Sequence, residues 1–521
     1  MKTGLTNEEL AQIRSILKTV PAVEKAVLFG SRAMGLARSN SDVDIMLYGS
    51  GLKMLDIMQI NRLLEETTLP YQFDFIRYDA KNPALHEHVK QYGKIIFEQG
   101  EVSTNDNVWQ KVRLGDVCKF QNGFAFKSSS FLSSGKYRVI KIKELKDGEV
   151  RFFEDSVYLN NFSAHLKPFV VNNGDILFAL TGDPVNKNNP LSWVGRVSRY
   201  AHDEIALLNQ RVCKAIVDES SLDKNYMYYY FRLYDNFFSL AQKATGSANQ
   251  ANISTSTIGD TIIDLPSLNE QRKIADMLSS LDIKITLNKA INNHLEEMAK
   301  AIFKSWFVDF EPWGGVMPDD WRKGTISDLG DVIGGSTPSK AKSEYYTEHG
   351  IAWITPKDLS VKKSKFIYHG ADDITELGLH NSSARLMPQG TILFSSRAPI
   401  GYIAIAGGEV CTNQGFKSVI PKDNVGTAFI YYFLYENLQI IESMASGSTF
   451  KEVSGSTMKG VPAVIPDDNT LCQFQENCIP IFEKQELLEL ENAHIAEIRD
   501  FLLPRLMSGE LSVADLGKDK R

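Results

Sequence analysis

The chain has 521 residues, with 57 Lys and Arg against 64 Asp and Glu, a formal net charge of −7. At roughly 100–200 residues per domain, that length implies three or four domains. An apolar fraction of 43% with 23% charged residues excludes a disordered chain, and no run of about 18 apolar residues is there to span a membrane. The five cysteines (Cys118, Cys213, Cys411, Cys472, Cys478) contain no CxxC pair. That spacing argues against a disulfide framework or structural zinc. With a start that lacks a signal-peptide core, it predicts a cytoplasmic location.

Thr6-Asn7-Glu8-Glu9 reads as a capping box opening a helix to about Thr19, stopped by Pro21. Ala26-Val27-Leu28-Phe29 reads as a short buried strand ending at Gly30-Ser31. In Asp42-Val43-Asp44-Ile45-Met46-Leu47, strand alternation puts the two aspartates on one face and Val43 and Ile45 on the other. An amphipathic helix from about Lys53 to Thr67 follows. A further strand, Tyr71 to Ile76, then carries Asp74. Three carboxylates on neighbouring strands suit hard divalent cations, and a Gly-Ser turn lets backbone amides approach phosphates. Arg32 and Arg38 could offset phosphate charge. The plainer alternative makes Asp42 and Asp44 exposed edge-strand residues and Gly30 a simple turn.

This pattern (Gly30-Ser31-Arg32-Ala33, Ser41-Asp42-Val43-Asp44, Asp74, Tyr92-Gly93-Lys94-Ile95-Ile96-Phe97) resembles the minimal nucleotidyltransferase domain of the polymerase-β-like superfamily over about residues 5–100. The resemblance implies Mg²⁺ on Asp42 and Asp44, with Asp74 as third ligand or base. It also implies nucleoside triphosphate phosphates at Gly30, Ser31 and Arg32.

A polar linker, 101–107, leads into a duplication. Gly174-Asp175-Ile176-Leu177-Phe178 matches Gly390-Thr391-Ile392-Leu393-Phe394, and Leu208-Asn209-Gln210 matches Thr412-Asn413-Gln414. Thr245-Gly246-Ser247 matches Ser446-Gly447-Ser448, and Leu265-Pro266 matches Ile465-Pro466. Val112-Arg113-Leu114-Gly115-Asp116 parallels Thr325-Ile326-Ser327-Asp328-Leu329. An extra polar loop in the first copy, around Gly182 to Pro190, accounts for a shortened offset.

Each copy ends in a long helical pattern. The first runs from Asn269 as cap to about Phe307, with Ile274, Leu278, Leu281, Ile285, Leu295 and Ile302 at alternating three and four spacing. The second, about Gln473 to Met507, repeats the seam at Ile481, Leu488, Ile495, Leu502 and Leu506. Asn292 and Asn492 are polar seam residues of the kind that fix register. Two such helices, each ~50 Å long, would most simply pack against each other; the alternative packs each on its own domain.

Lys136, Arg138, Lys141, Lys143 and Lys146 crowd one segment of the first copy, and Lys357, Lys362, Lys363 and Lys365 the matching place in the second. Glu483, Glu486, Glu489, Glu491 and Glu497 gather on the last helix. That separation suits a nucleic-acid face on the globular units and a docking face on the helix, although a lysine run can equally be a solvated face.

The opening Trp109 to Val117, the Gly-Asp-Ile-Leu-Phe strand, Asn269-Glu270-Gln271-Arg272-Lys273-Ile274-Ala275 and Leu503 to Leu511 together resemble the specificity (S) subunit of type I restriction–modification systems, over residues 108–521. The expected architecture is an α+β multidomain chain: an α/β nucleotidyltransferase domain (1–100), a linker (101–107), a target-recognition domain (108–267), a spacer helix (268–312), a second target-recognition domain (313–467), and a second spacer helix with tail (468–521). The two spacer helices would form an antiparallel coiled coil.

The resemblance implies that each recognition domain reads half of a bipartite site in double-stranded DNA. Expected contacts are Lys141, Lys143, Gln210, Arg211, Ser247 and Asn249 in the first, and Lys357, Arg397, Gln414, Lys417, Ser448 and Lys451 in the second. No Walker P-loop, GxGxxG or Asn/Asp-Pro-Pro-aromatic motif occurs. The body therefore needs no cofactor of its own. S-adenosylmethionine would bind two partner methyltransferase (M) subunits, and cleavage would need restriction (R) subunits; no membrane partner is expected. The alternatives are a nucleotidyltransferase enzyme whose duplicated domains only recruit a substrate or partner, or a degenerate front end on a working S subunit.

Overall fold

A capping box does open the first helix: the Thr6 hydroxyl accepts from the Glu9 amide at 3.1 Å and the Glu9 carboxylate accepts from the Thr6 amide at 2.6 Å. The computed structural model describes residues 5–20, 22–34, 41–49, 52–65, 67, 69–77, 89, 92–98, 109–161, 163–184, 192–247, 250–397, 399–447 and 451–513. Pro21, Arg38, the linker 101–107, residues 185–191 of the polar loop, Asn249 and Ser448 lie outside them. The chain divides into two compact units, Met1–Val108 and Trp109–Arg521.

In the first unit, α1 (Asn7–Lys18), β1 (Lys25–Phe29), the single turn α2 (Gly30–Ala33), β2 (Val43–Tyr48), α3 (Met54–Glu65), β3 (Phe73–Arg77) and β4 (Lys94–Glu98) follow in order. The sheet runs β3-β2-β1-β4, with β2 and β3 parallel and β1 antiparallel to both β2 and β4. Ile13, Leu17, Leu28, Val43, Ile45, Leu47 and Ile60 form its buried core between helices and sheet.

The second unit contains two lobes of one plan. Each lobe closes on itself by pairing its first and last strands: Gln110–Arg113 with Ile262–Leu265, and Arg322–Thr325 with Pro462–Ile465. These strands, and the short helices after them (Leu114–Val117 and Ile326–Leu329), correct the alignment of the opening motif. Arg113, not Val112, is equivalent to Thr325. Among the described residues the larger sheets share a strand order. Cys118–Asn122, Val212–Val217, Ile176–Ala179 and Val197–Arg199 in lobe 1 correspond to Gly330–Gly334, Lys417–Pro421, Ile392–Ser396 and Ile400–Ala406 in lobe 2. A four-stranded sheet faces each larger one. Ile140, Leu177, Ala179 and Leu208 fill the gap in lobe 1, and Ile354, Leu393, Ala404 and Phe416 fill it in lobe 2.

The long helices are α4 (Leu268–Phe307) and α5 (Asp468–Met507), 40 residues each. Their caps are Ser267, accepting from the Glu270 amide at 3.3 Å, and Asp467, accepting from the Thr470 amide at 3.0 Å. Asn269 is thus inside the helix, and the second helix starts five residues before Gln473. They run antiparallel: Asn288 meets Asn492, Asn292 meets Glu489 and Glu296 meets Gln485, so partner numbers add to about 780. The expected coiled coil is present. Asn292 and Asn492 lie close to the midpoint of the pair but do not face each other: Asn492 accepts from Asn288 at 3.0 Å, and Asn292, one turn further on, donates to Glu489 at 3.4 Å. Ile274, Ala275 and Leu278 with Leu503, Leu506 and Met507 join the core of lobe 1. Ala299 and Phe303 with Phe474, Cys478 and Ile481 join the core of lobe 2. Both lobes are therefore anchored on both helices, at opposite ends of the pair.

Candidate nucleotidyl-transfer site and nucleic-acid interface

Asp44 lies mid-sheet in the first unit, its Cα paired with Phe29 of β1 on one side and with Asp74 of β3 on the other. Asp42 sits one residue before β2. Burial first, then the charges of Asp74 and Asp42, push the Asp44 carboxyl above the usual carboxylate range, opposed by Arg32. Gly30 has φ +70°, and a Cβ there would lie 2.4 Å from Asp44 Oδ2. Only glycine lets the turn after β1 press onto this carboxylate. Ser31 beside it is half-buried, while Asp42 and Asp74 are exposed.

Arg32 is placed differently from the expectation of a phosphate ligand. It is 1% exposed, and its guanidinium donates to the Ser41 carbonyl at 2.6 Å and the Asp42 carbonyl at 3.1 Å, beneath the Tyr71 ring at 4.4 Å. Its donors fix the chain entering β2, so it positions the aspartates. An oxygen-only donor set in which Asp74 and Asp42 crowd Asp44 with like charge suits a hard cation. Among the described residues, no three His, Cys, Asp or Glu side chains converge closely enough to hold a metal ion.

In each lobe of the second unit, three loops are tied at one junction. In lobe 1 the Leu180 amide donates to the Arg211 carbonyl and the Ile253 amide to the Leu180 carbonyl, both at 2.9 Å. In lobe 2 the Ser396 amide donates to the Gly415 carbonyl at 2.7 Å and the Val453 amide to the Ser396 carbonyl at 3.0 Å. A fourth element is a lysine-bearing turn closed by a buried acid. Glu144 accepts from the Lys141 amide at 2.9 Å and from Ser156 Oγ at 3.0 Å; Asp358 accepts from the Thr355 amide at 2.7 Å and the Ala371 amide at 3.0 Å. Burial raises the Glu144 carboxyl pKa, against the pull of these hydrogen bonds. The turn makes Lys143 and Lys357 equivalent, just as the Asn-Gln loop makes Gln210 and Gln414 equivalent.

The junction brings most of the expected contacts together. Lys141, Lys143, Gln210 and Arg211 line one cleft of about 330 Å³ with Phe126, Ser128 and Phe131. Lys141 lies over the Phe131 ring at 4.3 Å, and Lys143 is held by Asp155 at 2.5 Å. In lobe 2, Pro356 packs on Gly415, which brings the turn that carries Lys357 against the loop that carries exposed Gln414; Arg397 and Lys417 both approach Glu452, and Lys451 is exposed next to it. Ser247 belongs to a hairpin strand, Thr245–Ser247, paired with Gln250–Asn252. The cleft aromatics and the acids Glu144, Asp358 and Glu452 were not anticipated. The shared Ile-x-x-Lys-(Glu/Asp)-Leu spacing at 140–145 and 354–359 is the signal that could have found the two turn acids.

Lys365 leaves the basic cluster. It is 8% exposed; Nζ donates to Glu296 at 2.7 Å, Gln485 at 2.9 Å and Tyr432 at 3.1 Å, and packs on the Phe482 ring. Burial pulls its pKa below the ordinary lysine value, against the pull of Glu296. The acidic helix is also partly spent inside. Glu486 accepts from Tyr368, Glu489 from the Lys365 amide at 3.0 Å, and Glu491 from Asn288 at 2.7 Å.

Residues 107–297 and 318–500 match the family model described as "Type I restriction modification DNA specificity domain". The chain belongs to that family. Residues 11–102 match "Polymerase beta, Nucleotidyltransferase", so the first unit is a nucleotidyltransferase-like domain. The chain is similar to the MjaIX specificity subunit of Methanocaldococcus jannaschii, 41% identical over 194 residues, covering 35% of this chain and 45% of that protein. It therefore spans less than half of that relative's length. It is also similar to the HindI specificity subunit of Haemophilus influenzae, 27% identical over 344 residues, covering 53% and 74%. The S subunit structure from M. genitalium shares the fold, with a TM-score of 0.52 at 18% identity over 78% of this chain and 98% of that one. Among the described residues no helix is long and apolar enough to cross a membrane.

Proposed function

We propose that this specificity-family chain reads a bipartite double-stranded DNA site, one half per lobe, through the two loop junctions. The observation that carries the reading is the repetition of one layout at opposite ends of the helix pair: the strand leading into the turn of Lys143 or Lys357 accepts from the loop of Gln210 or Gln414 through the same backbone hydrogen bond, Asn209 amide to Ile140 carbonyl and Asn413 amide to Ile354 carbonyl, both at 3.1 Å. Lysines suit phosphates, and Gln, Asn and Arg suit base edges in the major groove. From Leu278 in one core to Phe303 in the other, α4 rises ~37 Å, close to the roughly 34–36 Å of one duplex turn. Selection of randomised duplexes by the purified full chain should yield two short conserved blocks at a fixed separation. A single block, or none, refutes the reading.

Two M subunits, carrying S-adenosylmethionine, would dock on the helix pair, and R subunits would supply cleavage. Support comes from a duplicated outer stripe. Leu287 and Met298 on α4 are 55% exposed each, and their equivalents Leu487 and Ile498 on α5 are 56% and 36% exposed. Each stripe carries the same His–Glu contact, His294 with Glu297 at 3.5 Å and His494 with Glu497 at 4.0 Å.

For the first unit we propose Mg²⁺-dependent nucleotidyl transfer. Asp42 and Asp44 would hold the cation and Asp74 would serve as base or close in as third ligand, since the three carboxylates do not converge in this structure; Gly30 and Ser31 would face the nucleoside triphosphate, and Arg32 would keep Asp42 in place. The cation when bound would supply charge neutralisation for the phosphates.

A further inference from the structure

We propose that Arg397 and Glu452 act as one unit that reads a G·C base pair within the half-site of lobe 2. The proposal rests on the DNA-reading role above and assigns part of its specificity.

Glu452 is an acid flanked by three cations, Arg397, Lys417 and exposed Lys451. A carboxylate there is repelled by every phosphate. Beyond its pairs with Arg397 and Lys417, the group on a duplex that it can accept from is an amino group on a base edge, and cytosine N4 is the donor that suits it. The partner base of the same pair presents O6 and N7 of guanine, the acceptors that a guanidinium reads bidentately. Arg397 lies 3.5 Å from Glu452 Oε2, so one donor and one acceptor stand side by side, as they do across the major-groove edge of a G·C pair. Both side chains are 39% exposed.

The carboxylate is also aimed. Lys417, only 14% exposed, holds its other oxygen, Oε1, at 3.6 Å and lies 3.5 Å from Ser396 Oγ. The Ser446–Glu452 bridge fixes the backbone beneath it, with the Glu452 amide donating at 2.8 Å. Arg397 can therefore leave for guanine while Lys417 keeps Glu452 oriented, freeing Oε2 to accept from cytosine.

Lobe 1 supplies the contrast. By strand equivalence Arg397 falls on Thr181 and Glu452 on Asn252, and these two are direct strand partners in lobe 1. The scaffold is the same and the chemistry differs, as expected where two lobes read different sequences.

The test is duplex selection by the full chain as wild type, Glu452→Ala, Glu452→Gln and Arg397→Ala, with Gln210→Ala marking the half-site that belongs to lobe 1. The expected wild-type result is an invariant G·C pair in the other half. Discrimination at that pair alone should fall about ten-fold in Glu452→Ala and in Arg397→Ala. Glu452→Gln keeps the shape of the side chain and should lose the cytosine preference while every other position holds. A lobe 2 half without an invariant G·C pair, variants that change no position, or losses spread evenly over all positions would each overturn the pairing while leaving the DNA-reading role standing. Absence of any two-block consensus in the wild type overturns both.

Discussion

Arg499 of α5 donates to Asp282 of α4 at 2.9 Å, and the opposite oxygen of that carboxylate accepts from Tyr229 of lobe 1 at 2.6 Å. Asp282 thus joins both long helices to the lobe that sits on them, with Arg232 completing the group at 3.5 Å. Arg499 and Asp282 are about four-fifths buried. Removing the acid leaves Arg499 with only Asp500 and Arg232 with the Tyr228 hydroxyl, two part-buried cations without their shared carboxylate, a loss larger than the net value of the pair. Asp282→Ala should therefore cost about 3–5 kcal/mol in urea unfolding, and adding Arg499→Ala should recover part of it.

Lys357 and Lys365 stand eight positions apart, yet they belong to different physical regimes. Lys357→Ala should lower the slope of log affinity against log salt by about 1 without altering stability. Lys365→Ala should leave that slope unchanged. It should instead lower the denaturation midpoint, since Glu296 and Gln485 lose their buried partner.

That pair also shows what a sequence can and cannot carry. The two long helices and their 200-residue offset are legible because a buried seam forces apolar residues into three-four spacing. The closing strands and the Asn-Gln loop are legible because duplication repeats them. Burial of Lys365 leaves no local trace: its partners lie 69 positions before it and 120 after it. Arg32 is similar, since a cation beside a Gly-Ser turn looks like a phosphate ligand until the Ser41 and Asp42 carbonyls are seen to occupy it. Which asparagines meet across the helices depends on the antiparallel register, a property of neither helix alone. The three aspartates of the first unit were readable as neighbours because strand alternation and pairing place them.

Gly30→Ala puts a Cβ against the Asp44 carboxylate at a backbone angle that alanine rarely adopts. Calorimetric titration with Mg²⁺ and ATP should show affinity reduced about ten-fold or more, by displacement of Asp44 or of the turn. Duplex binding by the second unit should be unaffected, which separates a local effect from general misfolding.

Alkaline unfolding should be set by the tyrosines beneath the lobes. Burial raises the hydroxyl pKa of Tyr226, Tyr229, Tyr431 and Tyr432, and brings Tyr200 to about 12. In the unfolded chain these groups ionise near 10. A folded pKa above the unfolded one means that the folded state binds more protons between the two values. The stabilisation is complete below pH 10 and is lost as pH rises above it. Tyrosinate absorbance should therefore show an exposed fraction titrating smoothly and a buried fraction appearing only together with loss of structure.

The duplicated outer stripe predicts the stoichiometry of the partner and how it fails. Because α4 and α5 are related by an approximate dyad near Ile291 and Leu490, a surface on one helix that binds a partner implies a second, equivalent surface on the other. Leu287→Asp should remove one of two bound M subunits, and the Leu287→Asp, Leu487→Asp double variant should remove both. Neither leucine contributes to a buried core, each being more than half exposed, so thermal stability of the free chain should stay within about 0.5 kcal/mol of wild type. Mass measurement of the co-purified complex distinguishes the outcomes. Loss of both partners from the single variant would mean that the two sites are not independent, and no loss from the double variant would place docking elsewhere on the body.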